Sequence, residues 1–340
     1  MNIESRKKDH VNLCVSGNVA YTKRTGFEHI DFIHNALPEV SFDEITTEAW
    51  ICGRGFDFPL FISSMTGGYA KAGAVNAVIA SFCEKNNLPF GVGSQRIMLE
   101  NSKTIESFSV VREKAPTAFI AANIGGVQIA GGLDKKSIRL LIDSIKADAI
   151  IVHLNPLQEL MQPEGDRDFR GILYGIRKLV EDAGVPVIVK ETGAGISANV
   201  ATMLARVGVE VIDISGAGGT SWAKVENQRF SKEDNIFDDW GIPTVECLIE
   251  IGTIQERKFG VIASGGIRSS LDIAKALCLG ANFTAVAQPI IKAVINGGEE
   301  ELQQLYDRWK KDLKTVMCLL GALDIENLNP TLLRTHSSTI

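Results

Sequence analysis

Residues 261–288 read VIASGGIRSSLDIAKALCLGANFTAVAQ. A short apolar run, Val261-Ile262-Ala263, breaks off in Ser264-Gly265-Gly266-Ile267-Arg268, and a second, Phe283-Thr284-Ala285-Val286, ends in Ala287-Gln288. Between them 269–279 has helical spacing. Ser269 is placed to accept the first free amide hydrogens, and Gly280 stands where a helix end takes a left-handed residue. Apolar runs this short, without polar alternation, suit strands buried on both faces, as in a parallel sheet. The stretch is one strand–helix–strand unit, and the fold is decided by how often that unit recurs.

It recurs along most of the chain. Leu60-Phe61-Ile62-Ser63-Ser64, Phe90-Gly91-Val92-Gly93, Ala118-Phe119-Ile120-Ala121-Ala122, Ala149-Ile150-Ile151-Val152, Val187-Ile188-Val189-Lys190 and Val209-Glu210-Val211-Ile212-Asp213 bring the strands to eight. Helical spacing covers 70–85, 138–146, 172–183 and 197–207, with Ser197 and Gly208 as further end signals. Eight strand–helix repeats predict an α/β fold, a single (β/α)8 TIM barrel over 59–340; a doubly wound open sheet is the alternative. Residues 1–58 are expected to form an arm and cap. The long loop after strand six, polar and Gly-rich over 216–243, reads as a lid over the C-terminal mouth. Residues 299–320 read as a terminal amphipathic helix.

The 340 residues carry 35 Lys and Arg against 41 Asp and Glu, a net charge of −6. That balance gives no general attraction to nucleic acid or anionic membrane, so any anion site must be a local cluster of donors. No apolar run approaches the ~18–20 residues of a membrane span. The basic start, MNIESRKKDH, has no apolar stretch behind it, so it does not read as a secretory signal. Six cysteines sit singly in apolar segments with no C-x-x-C pair, the pattern of buried free thiols and a cytoplasmic protein. Barrels with exposed helical faces often assemble symmetrically, and a homo-oligomer, tetramer or octamer, is expected.

Barrel chemistry sits at the C-terminal strand ends, and polar residues follow all eight runs. Ser264-Gly265-Gly266-Ile267-Arg268 leads into a helix and offers backbone N–H groups, a helix N-terminus and a basic side chain, a phosphate site unless the glycines merely make a tight turn. FMN fits the remainder best. Ser64, Thr66, Ser94 and Asn123 suit a flavin edge, and Lys190 suits the N1/C2 carbonyl region, where a buried cation stabilises reduced flavin. An ordinary core ion pair is the other reading of Lys190. Arg6, Lys7 and His10 in the arm, with Arg96, His153 and Asn155 beyond strands two and four, would bind a diphosphate if they converge; the arm triplet could equally be a solvated terminus. Gln158-Glu159 offers a carboxylate for Mg²⁺ beside that diphosphate, or a general acid or base. Trp222 is a wall over a substrate or a packed loop residue.

Longer stretches identify a family. Arg6-Lys7-Lys8-Asp9-His10, SSMTGG at 63–68, GVGSQR at 91–96, HLNPLQE at 153–159, QPEGDRDF at 162–169, VKETGAGIS at 189–197, SGAGGTSW at 215–222, FDDWGIPT at 237–244 and ASGGIRS at 263–269 together resemble the type 2, FMN-dependent isopentenyl diphosphate isomerases. The resemblance spans 6–269 in order. It implies interconversion of isopentenyl and dimethylallyl diphosphate by a 1,3-proton shift, with reduced FMN, Mg²⁺ and a reductant such as NADPH, although no dinucleotide fingerprint is present. It implies FMN contacts from Ser64, Met65, Thr66, Ser94, Asn123, Lys190 and Thr220, and a phosphate near Gly265, Gly266, Arg268, Ala287 and Gln288. Substrate contacts fall on Arg6, Lys7, His10, Ser94, Arg96, His153, Asn155 and Gln158, with Trp222 over the substrate. Glu159 matches the magnesium ligand, and Gln158, Glu159 and Lys190 are the residues expected to carry the chemistry. Two rivals remain: a hydroxyacid oxidase or dehydrogenase, which needs a His base beyond strand six where 154–335 contains none, and a non-catalytic flavin or prenyl diphosphate binder.

Overall fold

The computed structural model describes residues 3–63, 67–230 and 235–335. Eight parallel strands close a barrel in chain order: Leu60–Ile62, Phe90–Gly91, Ile120–Gly125, Ala149–Leu154, Val187–Glu191, Val211–Asp213, Gly260–Ala263 and Phe283–Val286. Closure comes from the last strand pairing with the first, Thr284 to Leu60 and Val286 to Ile62. The open-sheet alternative is thereby excluded, and every expected run is a strand.

Both faces of the strands are buried, but against different partners. Phe61, Ala121, Ala149, Ile151, Ile188, Val211, Ile262, Phe283 and Ala285 fill the barrel interior, while their neighbours Ile62, Ile120, Ala122, Ile150, Val152, Val187, Val189, Ile212 and Val261 pack against the helices. This is period-two alternation with apolar residues on both sides, which explains why no polar alternation appears in the sequence. Continuing the inward series by two residues at the C-terminal ends gives Ser63, Asn123, His153, Lys190, Asp213 and Ser264. The interior thus changes from apolar to polar at one level, and that level is the floor of the site.

The lower end is plugged by the antiparallel pair Ala49–Ile51 and Arg54–Phe56, joined through Cys52 and Gly53 at φ 50° and 70°. Positive φ at both central positions gives the turn a twist that matches its strands. Phe56 is 1% exposed and meets Phe119 and Phe283 edge-on, at 5.9 and 5.6 Å between ring centroids. Part of the expected cap therefore works as a bottom plug, whereas the helix Ile3–Ser16 lies at the mouth.

Most helix ends follow the expected signals. Ser197 and Ser269 accept hydrogen bonds from the amides of Val200 and Asp272, and Gly208 and Gly280 are left-handed, both at φ 92°. The helix expected over 138–146 runs instead over Lys135–Asp143, because Asp134 caps it through the amide of Ser137 at 2.7 Å. The terminal helix expected over 299–320 follows a non-helical break at Gly297 and Gly298, which parts it from a helix starting at Gln288, and it ends at Leu320. All six cysteines are free thiols, four of them buried. No helix among the described residues is long and apolar enough to cross a membrane.

Candidate active site

One pocket occupies the C-terminal mouth. Lys7, His10, Ser94, Arg96, Asn123, His153, Asn155, Gln158, Glu159, Lys190, Thr220, Trp222, Gly265, Gly266, Arg268, Ala287 and Gln288 all line it. Ser64, Met65 and Thr66 lie outside the described residues, and Arg6 is described only as a position in the helix Ile3–Ser16. Lys7, Arg96, Lys190 and Arg268 face a single described lining carboxylate, Glu159, so the mouth is locally cationic in an acidic protein.

The far wall is built backbone against backbone. Gly265 and Gly266 have φ +97° and +80°, and a Cβ on Gly265 would fall 2.0 Å from the carbonyl oxygen of Gly216. Only glycine fits there. The Arg268 guanidinium donates to the carbonyl of Gly218 at 3.0 Å, beside the N-terminus of the helix Ser270–Cys278. Close-packed glycine backbone, a helix start and an arginine are the donor set that an FMN phosphate needs, so these residues fit that group. Gln288 lines the pocket as well, and its side-chain amide donates to the carbonyl of Cys14 at 2.8 Å and so ties down the arm.

On the floor, the Asn123 amide nitrogen donates to the carbonyl of Val92 at 3.0 Å, which turns its oxygen toward His153 Nδ1, 2.7 Å away. His153 therefore carries its proton on Nδ1 and holds a lone pair on Nε2. Burial, with Lys190 and Lys7 nearby, lowers its pKa to about 3, so the ring is neutral. The sequence reading placed it among the diphosphate contacts; with its proton on Nδ1, the ring offers that ligand a lone pair at Nε2. Lys190, 8% exposed, donates from Nζ to the carbonyl of its neighbour Glu191 at 2.6 Å. The Glu191 carboxylate accepts amide hydrogens from Thr192, Gly193, Ala194 and Gly195, which shapes the loop after strand five. Burial nonetheless raises its pKa to about 7 against those amides and Lys190.

The fourth strand feeds the short helix Pro156–Met161, which presents Gln158 and Glu159. Asn155 Nδ2 donates to both, at 3.2 Å to Gln158 Oε1 and 3.0 Å to Glu159 Oε1, while Glu159 Oε2 accepts from the amide of Asp166 at 2.9 Å. No cluster of three or more His, Cys, Asp or Glu side chains suited to a metal occurs among the described residues. A metal here would rest on Glu159 and on ligand oxygens, an arrangement that fits Mg²⁺. Arg96 lies between Glu100, at 3.2 Å, and Asp166, at 3.7 Å.

The arm is seated, not solvated. Lys7 Nζ donates to the carbonyl of Ser94 at 2.8 Å, and His10 Nε2 lies 2.7 Å from Glu226 Oε1. His10 also meets the ring of Trp222 edge-on at 5.1 Å, so Trp222 both lines the pocket and packs on the arm. Glu226, on the helix Trp222–Phe230, is fully buried, accepts from Gln158 Nε2 at 3.0 Å and pairs with Arg229. Burial alone would raise its pKa, but His10, Gln158 and Arg229 together hold it below the usual carboxylate value. Sequence reading missed Glu226, Asp213 and Glu191. Strand parity could have found Asp213, two residues past the inward-facing Val211; nothing local marks Glu226.

Comparison with known proteins gives the same direction. The family model for FMN-dependent dehydrogenases matches residues 160–335. An isopentenyl-diphosphate delta-isomerase of Chlorobium luteolum is 45% identical, covering 95% of this chain and 93% of its own length. Proteins of the same description from Chlorobium chlorochromatii and Rickettsia canadensis are each 42% identical, covering 97% and 95% of this chain and the same shares of their own lengths. Among solved structures, a flavocytochrome b2 variant with sulfite bound superimposes with TM-score 0.71 at 19% identity, over 100% of this chain and 82% of that one. A soluble mutant of (S)-mandelate dehydrogenase from Pseudomonas putida gives 0.67 at 16%, over 97% and 91%. The distant structures share the barrel fold, while the close relatives cover nearly the whole chain, and on that ground the chain belongs to the type 2, FMN-dependent isopentenyl-diphosphate delta-isomerase family.

Proposed function

We propose that the protein interconverts isopentenyl and dimethylallyl diphosphate by a 1,3-proton shift, using reduced FMN and Mg²⁺, in isoprenoid biosynthesis. The observation that carries the reading is the joining, in one pocket, of a glycine-backbone phosphate cradle, a buried lysine and a cationic rim around Glu159. An isolated alkene is a poor base. Adding a proton at C4 and removing one from C2 passes through a tertiary cation at C3, which needs a well-placed acid, no water, and negative charge nearby. Reduced FMN, when bound, supplies an electron-rich face and the group that gives and recovers the proton.

The chain's own residues do the rest. Lys7 and Arg96 hold the diphosphate with the seated arm, and Asn155 and Gln158 orient it. His153 accepts a hydrogen bond at Nε2. Glu159 holds Mg²⁺ against the phosphate oxygens. Lys190 favours the anionic, reduced form of the cofactor, and Trp222 with the arm excludes water. We assign NADPH as the reductant, the cytoplasm as the location and a tetramer or octamer as the assembly. Free thiols agree with a reducing compartment.

Incubation of the FMN-loaded, chemically reduced protein with isopentenyl diphosphate and Mg²⁺ in deuterated water tests the reading. Dimethylallyl diphosphate carrying deuterium is expected; absence of both product and exchange defeats it. Removal of residues 1–10 is expected to raise KM and lower kcat together, because the lost segment carries Lys7 and His10 and also closes the mouth. A fall in kcat/KM of about 10- to 100-fold corresponds to one or two charge-assisted hydrogen bonds. Unchanged kinetics would return the arm to the role of a solvated terminus.

A further inference from the structure

Asp213 is a buried acid that the assignments above leave unused. It is 3% exposed, and Ser215 and Ser264, which bind it, line the pocket. Its Oδ1 accepts from Ser264 Oγ at 2.5 Å and from the amide of Ser215 at 3.3 Å. In the barrel ladder Asp213 is in register with Lys190, and Lys190 with His153. Residues in register on parallel strands share a face. Three titratable groups therefore stand side by side on the floor, one strand apart.

Their charges do not balance without Asp213. His153 is neutral, since burial with Lys190 and Lys7 nearby lowers its pKa to about 3. The carboxylate of Glu191 is turned into the amides of its own loop. A buried ammonium needs an anion close by, and Asp213 is the acid in register with Lys190 on the next strand. Burial pushes the Asp213 carboxyl up from its ordinary value; Lys190, the Ser264 hydroxyl and the Ser215 amide oppose this.

We propose that Asp213, anchored by Ser264, is the counter-charge of Lys190 and a positioning residue that sets how far this lysine favours reduced over oxidised flavin. The inference rests on the reading of the pocket as an FMN site. Lys190 turns its charge toward the pocket, and an anion behind it keeps the ammonium in place while offsetting part of its field. Reduced flavin gains from the cation and loses from the anion. Asp213 thus holds the cofactor's potential below the value that Lys190 alone would give.

The test is the midpoint potential of bound FMN, read by reductive titration of the reconstituted holoprotein against a reference dye. Asp213→Asn keeps the shape and removes the charge. It is expected to raise the preference for reduced over oxidised FMN about tenfold, a positive shift of about 30 mV for a two-electron couple. Lys190→Met is expected to shift it the opposite way. Equal potentials in wild type and D213N, or a negative shift in D213N, overturn the proposal, because a purely structural acid alters affinity for both oxidation states alike. Should D213N not fold, Ser264→Ala withdraws the hydroxyl that stabilises the charge. A smaller positive shift supports the proposal, and no shift overturns it. A wild-type protein that retains no FMN in its visible spectrum removes the reading of the pocket itself, a failure seen before any potential is measured.

Discussion

Glu159→Gln is expected to reduce kcat about 100-fold while the protein stays folded and keeps its FMN. The side chain sits on the helix Pro156–Met161, with one oxygen on the Asn155 amide and the other on the amide of Asp166. Glutamine keeps one acceptor and is close in size, so the structural cost is about one neutral hydrogen bond, on the order of 1 kcal/mol. What it removes is charge. Among the described residues lining the pocket no other carboxylate is available, and magnesium prefers one or two carboxylates together with phosphate oxygens and water. Losing the partner of a metal ligand typically costs 10–100-fold, and losing the ligand itself belongs at the upper end of that range. The check is a Mg²⁺ titration of turnover alongside the flavin spectrum. The variant should require far more metal at unchanged flavin content. Full activity with the wild-type Mg²⁺ dependence would remove Glu159 from the reaction.

Glu159 could be singled out from sequence because it follows shortly after a strand end. The barrel was legible for the same reason: short apolar runs at regular intervals have few other homes, and each became a strand. Asn123, His153 and Lys190 lie two residues past the interior positions Ala121, Ile151 and Ile188, so strand parity alone sends them to the floor. Less was legible where structure depends on something other than apolar spacing. The helix Lys135–Asp143 opens with two exposed lysines, so its apolar stripe begins after its true start, which Asp134 fixes. The bottom plug was hidden because Cys52 takes a conformation that sequence assigns to glycine, asparagine or aspartate. The charge state of His153 was not legible either. It depends on burial of the ring with Lys190 and Lys7 nearby, and its tautomer depends on Asn123, whose own amide is set by the carbonyl of Val92. Glu226 was the least visible of all. In the helix Trp222–Phe230 it reads as a solvated charge, yet one of its contacts comes from Gln158, 68 residues earlier, and another from the arm.

For that reason Glu226 is expected to give the largest stability effect of any single change at the mouth. Glu226→Ala leaves Arg229, 2% exposed in its side chain, without this carboxylate, and strips the acceptor from Gln158 and His10. Breaking a buried ion pair from one side costs about 3–5 kcal/mol, because the remaining charge stays desolvated, and the more distant Glu164, 3.5 Å from Arg229, puts the loss at the lower end. The loss falls where the arm helix Ile3–Ser16, the helix Trp222–Phe230 and the helix Pro156–Met161 meet, so arm seating and turnover should fall with it. Glu226→Gln separates charge from shape. Its folded pKa is lowered, so the carboxylate contributes stability that is present above the ordinary carboxylate pKa and is lost as pH falls through the lowered value. Wild type should therefore melt well above E226Q at pH 7, and the gap should narrow as the pH is taken below about 4, under the ordinary glutamate value. Thermal melts of both proteins across that range decide the matter. A gap that does not change with pH would mean that size and packing, rather than the charge of Glu226, hold the arm against the helix Trp222–Phe230.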